Sequence, residues 1–340
     1  MRMAGTIVCF GELLLRLGAP ARERLLQRPS FEVHVGGAEA NVAVQLARLG
    51  NAAAYVGVVS ANPLGDAALG ELRRHGVDTT RALRRAGRMG LYFLETGAGQ
   101  RPSEVLYDRA DSAFATARAS AYDWAGLLDG ATALHVSGVT PALGAEAAAA
   151  ATAALTAARA RGIATSFDGN FRAKLWAASG GDAPAILREL FALADTAFAD
   201  PRDLGVALGR SFEGSNDTAR RAAARAAFDV FPRLARIATT VRAQRSVDDH
   251  TLGAVLDERD GARHTAPPVA LAPIVDRIGA GDAFAAGVLH VLARGGDGAD
   301  ALRHGHAAAC LKHATPGDAG LARADELRAF VEDRRYDVRR

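Results

Sequence analysis

The residues best able to do chemistry cluster in one segment near the C-terminal end, Asp276-Arg-Ile-Gly279-Ala280-Gly281-Asp282-Ala-Phe-Ala-Ala-Gly287. Glycines at 279 and 281 let backbone approach a ligand closely, and the free amides of the helix opened by the apolar run form an anion site. Asp282 falls in the first turn of that helix. Two readings of it stand: an acid that caps the helix start, or a base that takes a proton from a hydroxyl attacking a phosphoryl group. A second segment, Gly36-Gly37-Ala-Glu39-Ala-Asn41-Val-Ala-Val-Gln-Leu-Ala-Arg-Leu-Gly50, sets a glycine pair at a strand-to-helix turn. Its spacing is neither GxGxxG nor GxxxxGK[ST], so neither a dinucleotide fingerprint nor a P-loop is offered. Asn41 is polar among Val42, Val44 and Leu46, and from the first turn it could face a polar ligand. Arg172 follows the strand end Asp168-Gly169-Asn170, at the carboxyl edge of a parallel sheet where α/β enzymes collect ligands; a salt bridge to a nearby acid is its plain alternative.

The elements that must position these groups alternate. Extended runs are predicted at Thr6 to Leu17, Phe31 to Val35, Ala54 to Val59, Ala133 to Ser137, Ile163 to Phe167 and Thr196 to Ala199. Between and after them, helices are predicted from Glu39 to Leu49, Leu64 to His75, Ala145 to Arg161, Ala183 to Ala194, Asp217 to Phe231, Asp282 to Ala293, Asp300 to His313 and Ala324 to Arg334. Three further β segments, Ile237 to Val241, Leu252 to Leu256 and Arg263 to Ala266, precede the G-A-G-D turn. Such alternation favours a mostly parallel sheet covered on both faces. From Gly90 to Asp111 the rhythm changes to a hairpin, Leu91 to Thr96 and Glu104 to Asp108, with no helix between. Paired with the early Phe31 strand, it predicts a small β-layer standing off the main sheet as a lid, built from about 14–35 and 88–111. No repeat or long linker interrupts residues 1–340, which read as one α/β domain.

Composition narrows the function classes. With 49% hydrophobic and 23% charged residues over 340 positions, the chain has the proportions of a soluble globular protein. Its longest charge-free apolar stretch, Ala147 to Ala158, is well short of the roughly 20 residues that cross a bilayer. No membrane is expected as a partner. The Thr6 to Phe10 run lacks a cleavage site, so a cytoplasmic protein is expected. Two cysteines, Cys9 and Cys310, support no disulfide framework. The net charge of +3 is spread over arginines mixed with acids, and nucleic acid is not expected as a partner. The histidines show no metal-ligand spacing.

Together, the glycine-pair segment and the G-A-G-D segment resemble the two signatures of the ribokinase-like (PfkB) carbohydrate kinases, in the right order and with the hairpin between them. The resemblance spans nearly the whole chain. It implies a ribokinase-like, doubly wound α/β fold with a β-lid, and ATP-dependent phosphorylation of a hydroxyl. Asp282 would be the base, the amides of Ala280, Gly281 and Asp282 would stabilise charge on the phosphoryl oxygens, and Gly279, Ala280 and Gly281 would line the catalytic turn and the nucleotide. Mg2+ would bridge the nucleotide phosphates, and a monovalent cation is an open further requirement. Within the family the middle of the chain is most similar to the 2-keto-3-deoxygluconate kinases, through Gly36-Gly37-Ala-Glu-Ala-Asn41, Gly90-Leu-Tyr92, Tyr107-Asp-Arg109, His135 to Leu143, and Asp168-Gly-Asn170-Phe-Arg172 followed by Leu175-Trp176.

A sugar acid brings a carboxylate, which an arginine fork holds at two points, and Tyr107 and Arg109 lie two apart on one face of a lid strand. The resemblance therefore implies substrate contacts from Gly36, Gly37, Asn41, Tyr92, Tyr107, Arg109, Arg172 and Asp318, the last in the turn Thr315-Pro-Gly-Asp318. Asn170 would line the junction with the nucleotide, and His306 would face adenine. Three departures stand out. Where relatives carry an N-x-x-E element near magnesium this chain reads Asp200-Pro-Arg-Asp203, so that Asp200 and Asp203 would act on Mg2+ indirectly with the charge kept and the length not, and where they carry a glycine-bearing nucleotide loop it reads Arg242 to His250. Gly169 also replaces a bulkier residue. Open alternatives are a family kinase for a neutral sugar such as fructose or ribose or for a nucleoside, a catalytically dead nucleotide or sugar sensor, and a Rossmann dehydrogenase. Unpaired lid edges predict a homo-oligomer.

Overall fold

The computed structural model describes residues 5–212 and 216–333. Apolar strands that alternate with helices along the chain assemble an eight-stranded sheet. From edge to edge it runs Arg263–Leu271, His250–Glu258, Arg236–Gln244, Thr196–Phe198, Ala164–Asp168, Ala131–Ser137, Thr6–Phe10 and Ala53–Val56. Every neighbouring pair from Arg236–Gln244 to Ala53–Val56 is parallel, and only the last two pairings at the other edge, made by the reversed strand His250–Glu258, are antiparallel. The chain starts on Thr6–Phe10, moves out to Ala53–Val56 and then continues on the far side at Ala131–Ser137. That reversal is the switch point at which open α/β sheets take ligands beyond their carboxyl ends.

Helices pack on both faces. On one, the alanine-rich helix Ala145–Ala160 buries Ala147, Ala150, Ala151, Ala154, Leu155 and Ala158, small side chains that bring it close to the sheet. On the other, Ala38–Arg48, Ala280–Leu292 and Gly298–Lys312 close a second core around Val42, Leu46, Phe284, Val288 and Leu302. No helix among the described residues is long and apolar enough to cross a membrane.

The expected run Thr6 to Leu17 is not one strand. Thr6–Phe10 stays in the main sheet, whereas Leu14–Gly18 joins a separate four-stranded sheet ordered Glu32–Gly36, Leu14–Gly18, Gly90–Glu95, Glu104–Asp108. The break falls at Gly11-Glu12-Leu13. A side chain at Gly11 would begin 2.0 Å from the Glu39 carboxylate, and Glu12 turns inward to 1% exposure. The predicted Ala54 to Val59 strand likewise splits into Ala53–Val56 and Val58–Ser60, the latter paired with Leu83–Arg85. The four-stranded sheet coincides with the predicted lid, and its inner face packs Leu14, Tyr92 and Leu94 against Val105, Tyr107 and Ile278, the residue just before Gly279.

Besides the one-turn helix Trp124–Leu127, two longer helices were not expected among the described residues, Ala173–Ser179 and Pro201–Leu208. The second starts with a capping box, Asp200 accepting from the Arg202 and Asp203 amides and Asp203 from the Asp200 amide. Asp-Pro-x-Asp is a legible helix start, masked by its reading as a metal element.

Candidate active site

The G-A-G-D turn is built by close approach. Gly279 holds φ +76° as the N-cap of Ala280–Leu292, and a Cβ there would lie 1.7 Å from the Asp318 carbonyl oxygen. A Cβ on Gly281 would meet nothing within 4 Å, because that residue borders the open cleft. The Ala280 amide leans on Arg277 O at 3.3 Å, leaving the N–H groups of Gly281 and Asp282 without a partner among the described residues. These are the free donors of a helix start, aimed where an anion would sit.

Asp282 is half-buried there, and its Oδ2 accepts from Asn41 Nδ2 at 2.7 Å. Burial raises its pKa to about 7, against the Asn41 hydrogen bond and with help from the negative charge of Glu39. A carboxylate at that value is matched to proton transfer near neutral pH. Glu39 is fully buried and is also pushed up by desolvation; its Oε1 collects Ser137 N at 2.9 Å, Ser137 Oγ at 2.9 Å and Thr140 Oγ1 at 2.7 Å. Asn41, expected to face a ligand, lines the cleft but spends its amide on the carboxylate.

Opposite the turn, the four-stranded sheet lines the other wall of the cleft. Tyr92 donates from its hydroxyl to Asp318 Oδ2 at 2.6 Å, and burial followed by the Asp318 charge keeps that hydroxyl protonated. Arg16 lies behind them at 3% exposure, with Nη1 3.1 Å from Asp318 Oδ1 and Nη2 2.8 Å from Asp276 Oδ2. Sequence reasoning missed Arg16, although one charged residue inside Leu14-Leu-Arg-Leu17 is a signal in its own right. Arg109 lines the cleft with its Nε donating to Glu12 Oε2 at 2.6 Å, and Ser112 Oγ also donates to Glu12. Tyr107 stands beside Tyr92 with ring centroids 6.4 Å apart. The cleft between lid and sheet encloses about 680 Å³.

Residues 4–323 match the profile described as pfkB family carbohydrate kinase. The chain belongs to the PfkB family. Among curated relatives, this PfkB kinase is 36% identical over 327 residues to a 2-dehydro-3-deoxygalactonokinase of Haloferax volcanii, covering 96% of each chain. It is 29% identical to a 2-dehydro-3-deoxygluconokinase of Bacillus subtilis, again over 96% of each. The crystal structure of a 2-dehydro-3-deoxygluconokinase from Thermotoga maritima superposes with a TM-score of 0.91 at 38% identity, covering 96% of this chain and 99% of that one.

Membership makes the chain a carbohydrate kinase that uses ATP. Of the predicted site residues of this PfkB kinase, the structure brings Gly37, Asn41, Tyr92, Tyr107, Arg109, Asn170, Arg172, Asp200, Asp203, Gly279, Ala280, Gly281, Asp282 and Asp318 to one cleft. Gly36 does not line it. An added Cβ there would lie 2.1 Å from Asp318 Oδ2, so the residue clears space for a carboxylate and does not touch the cleft itself. His306 is a correction as well: it is buried with Nε2 2.7 Å from Leu252 O, packed behind the sheet, and the histidine of that helix region that reaches the cleft is His313.

Asp203 is drawn inward too. Its Oδ1 accepts from Phe171 N and its Oδ2 from Asp200 N, both at 3.0 Å, and burial raises it to about 6. Gly169 packs directly on it, since a Cβ would lie 2.7 Å from Asp203 Cβ, which gives the departure at 169 a steric reason. The segment expected as a loop from Arg242 begins as strand: Arg242, within Arg236–Gln244, lines the cleft, and Arg277 joins it from the turn.

Proposed function

We propose that this PfkB kinase transfers the γ-phosphoryl group of ATP to the 6-hydroxyl of a 2-keto-3-deoxy sugar acid, with 2-keto-3-deoxygluconate as the first substrate to test. The observation that carries the reading is one cleft with a base near pKa 7 on one wall and the arginines Arg109 and Arg172 on the others. A neutral sugar would leave those forks without a carboxylate to hold. The named activities of the relatives agree, and the gluco and galacto acids they carry differ only in the configuration at one hydroxyl.

In this reading Tyr92 and Asp318 hold the sugar hydroxyls and Arg109 the carboxylate, while Asp282 takes the proton of the attacking hydroxyl. The N–H groups of Gly281 and Asp282 stabilise charge developing on the phosphoryl oxygens, and Arg172 approaches the same group from the sheet edge. The lid excludes water, which limits hydrolysis of ATP. Magnesium, when bound, would neutralise donor phosphate charge. Asp200 fits that ion, because its Oδ2 accepts no hydrogen bond from a described residue, whereas both oxygens of Asp203 hold amides.

One observation favours the neutral-sugar reading: Glu12 already neutralises Arg109. Coupled ADP detection over a panel of 2-keto-3-deoxygluconate, its galacto epimer, gluconate, fructose, ribose and nucleosides decides between them. A kcat/KM highest for a neutral sugar would overturn the sugar-acid assignment. We also place the kinase in a cytoplasmic homo-oligomer of single-domain chains, joined through the outer lid face, where Val33 is 58% and Leu106 61% exposed.

A further inference from the structure

Lys312 has no part in the chemistry above, yet it is buried at the heart of the loops that perform it. The chain has only two lysines, and this one, on the last turn of Gly298–Lys312, is 1% exposed. Its ammonium donates to Thr315 O at 2.8 Å and to Asp276 O at 3.3 Å. Each carbonyl belongs to one of two loops that meet behind the G-A-G-D turn. Asp276 opens the run into Gly279, and its carboxylate accepts from Ile278 N at 2.9 Å and Gly317 N at 3.1 Å. Thr315 opens the run to Asp318, whose carbonyl oxygen presses on Gly279.

Convergent backbone carbonyls are the donors that replace water around a potassium ion, and an ammonium group has a similar size and charge. Burial pulls Lys312 down to about 8, with Asp276 and Asp318 opposing, so it keeps its proton at neutral pH. Arg16 already pairs with both of those acids, so the local charge is balanced without a dissolved ion.

We infer that the Lys312 ammonium is a tethered monovalent cation: it pins the two active-site loops at a carbonyl-lined position, so turnover needs no added potassium or ammonium ion. The inference rests on the chain being a kinase and not on the sugar-acid reading, because the same loops would serve either acceptor. The carbonyls that a free cation would take are already taken.

The test measures initial rates with whichever acceptor the panel shows to be best, in choline chloride and then with KCl, NH4Cl or NaCl at constant ionic strength. Melting temperatures are recorded in the same buffers. Wild type should stay within about twofold in kcat/KM in all of them, and its melting temperature should not respond to potassium. Lys312→Met should lose about 10-fold or more in choline, and potassium or ammonium should restore rate and raise the melting temperature saturably, as a bound ligand does. Saturable activation of wild type by potassium would overturn the inference. So would a folded Lys312→Met that is unimpaired in choline, or one that no monovalent ion restores. Lys312→Gln serves if the Met variant does not fold, and the wild-type rates decide if neither does. Failure of every acceptor would count against the substrate reading alone, and the melting series would then decide on the cation.

Discussion

Asp282 takes its character from neighbours far away in sequence, and its behaviour follows from them. Below about pH 7 it carries a proton and cannot accept another, so kcat/KM should climb roughly tenfold per pH unit up to about 7 and then level off. Asp282→Asn should lower kcat by about 100-fold or more and flatten that rise, with ATP affinity nearly unchanged. A variant within a few-fold of wild type would mean another base. The same raised pKa acts on folding: the unfolded carboxyl ionises near 3.8 and the folded one near 7. Stability present below the lower value is therefore lost as pH rises through the higher one. Ligand-free Asp282→Asn should thus melt above wild type at pH 8 but not at pH 4. The arginines separate in a different way. Arg172 is exposed and has no ion pair among the described residues, so Arg172→Lys should cost about 10- to 150-fold in kcat/KM for a sugar acid with an unchanged melting temperature. Arg109→Lys should lower the melting temperature as well, because it disturbs the buried partner Glu12. Equal losses on acid and neutral substrates would remove carboxylate recognition from both.

At the level of elements, the sequence shows where segments lie better than what their ends do. The helix behind Asp282 and the hairpin near residue 100 were legible because periodicity and glycine punctuation are local signals. The break at Gly11-Glu12-Leu13 was not, since apolar residues flank it on both sides and its cause is Glu39 and Arg109, remote in the chain. Asp200-Pro-Arg-Asp203 shows the reverse case, a helix cap that went unseen behind the magnesium reading. Asp203→Asn should therefore act first on stability, lowering it by about 0.5 to 2 kcal/mol in a denaturant titration. A shift in magnesium requirement with an unchanged midpoint would restore the metal reading. The two glycines of the turn make a paired test. Gly279→Ala forces a Cβ into the Asp318 carbonyl at positive φ and should lower both melting temperature and rate. Gly281→Ala has room in the ligand-free protein and should melt normally while losing kcat/KM, because its methyl group would stand at the proposed phosphate position. Normal kinetics for that variant would move the phosphate elsewhere.

For the molecule as a whole, the architecture was readable from alternation, whereas contacts between distant segments, Arg16 with Asp318 or Asn41 with Asp282, were invisible because no spacing rule connects them. Assembly is the property tested at this scale. Val33 and Leu106 lie on the outer lid face, so Leu106→Glu should shift the mass seen by light scattering from a multimer to a monomer. An unchanged mass would place the contact on another surface. The lysine pattern has a practical side. With Lys312 sealed in the interior, Lys174 is the one lysine side chain exposed to solvent, two residues after Arg172 at the cleft rim. An amine-reactive fluorophore should therefore attach to a single lysine. Its emission would then report, in real time and without mutagenesis, how the entrance to the cleft responds when sugar or nucleotide arrives.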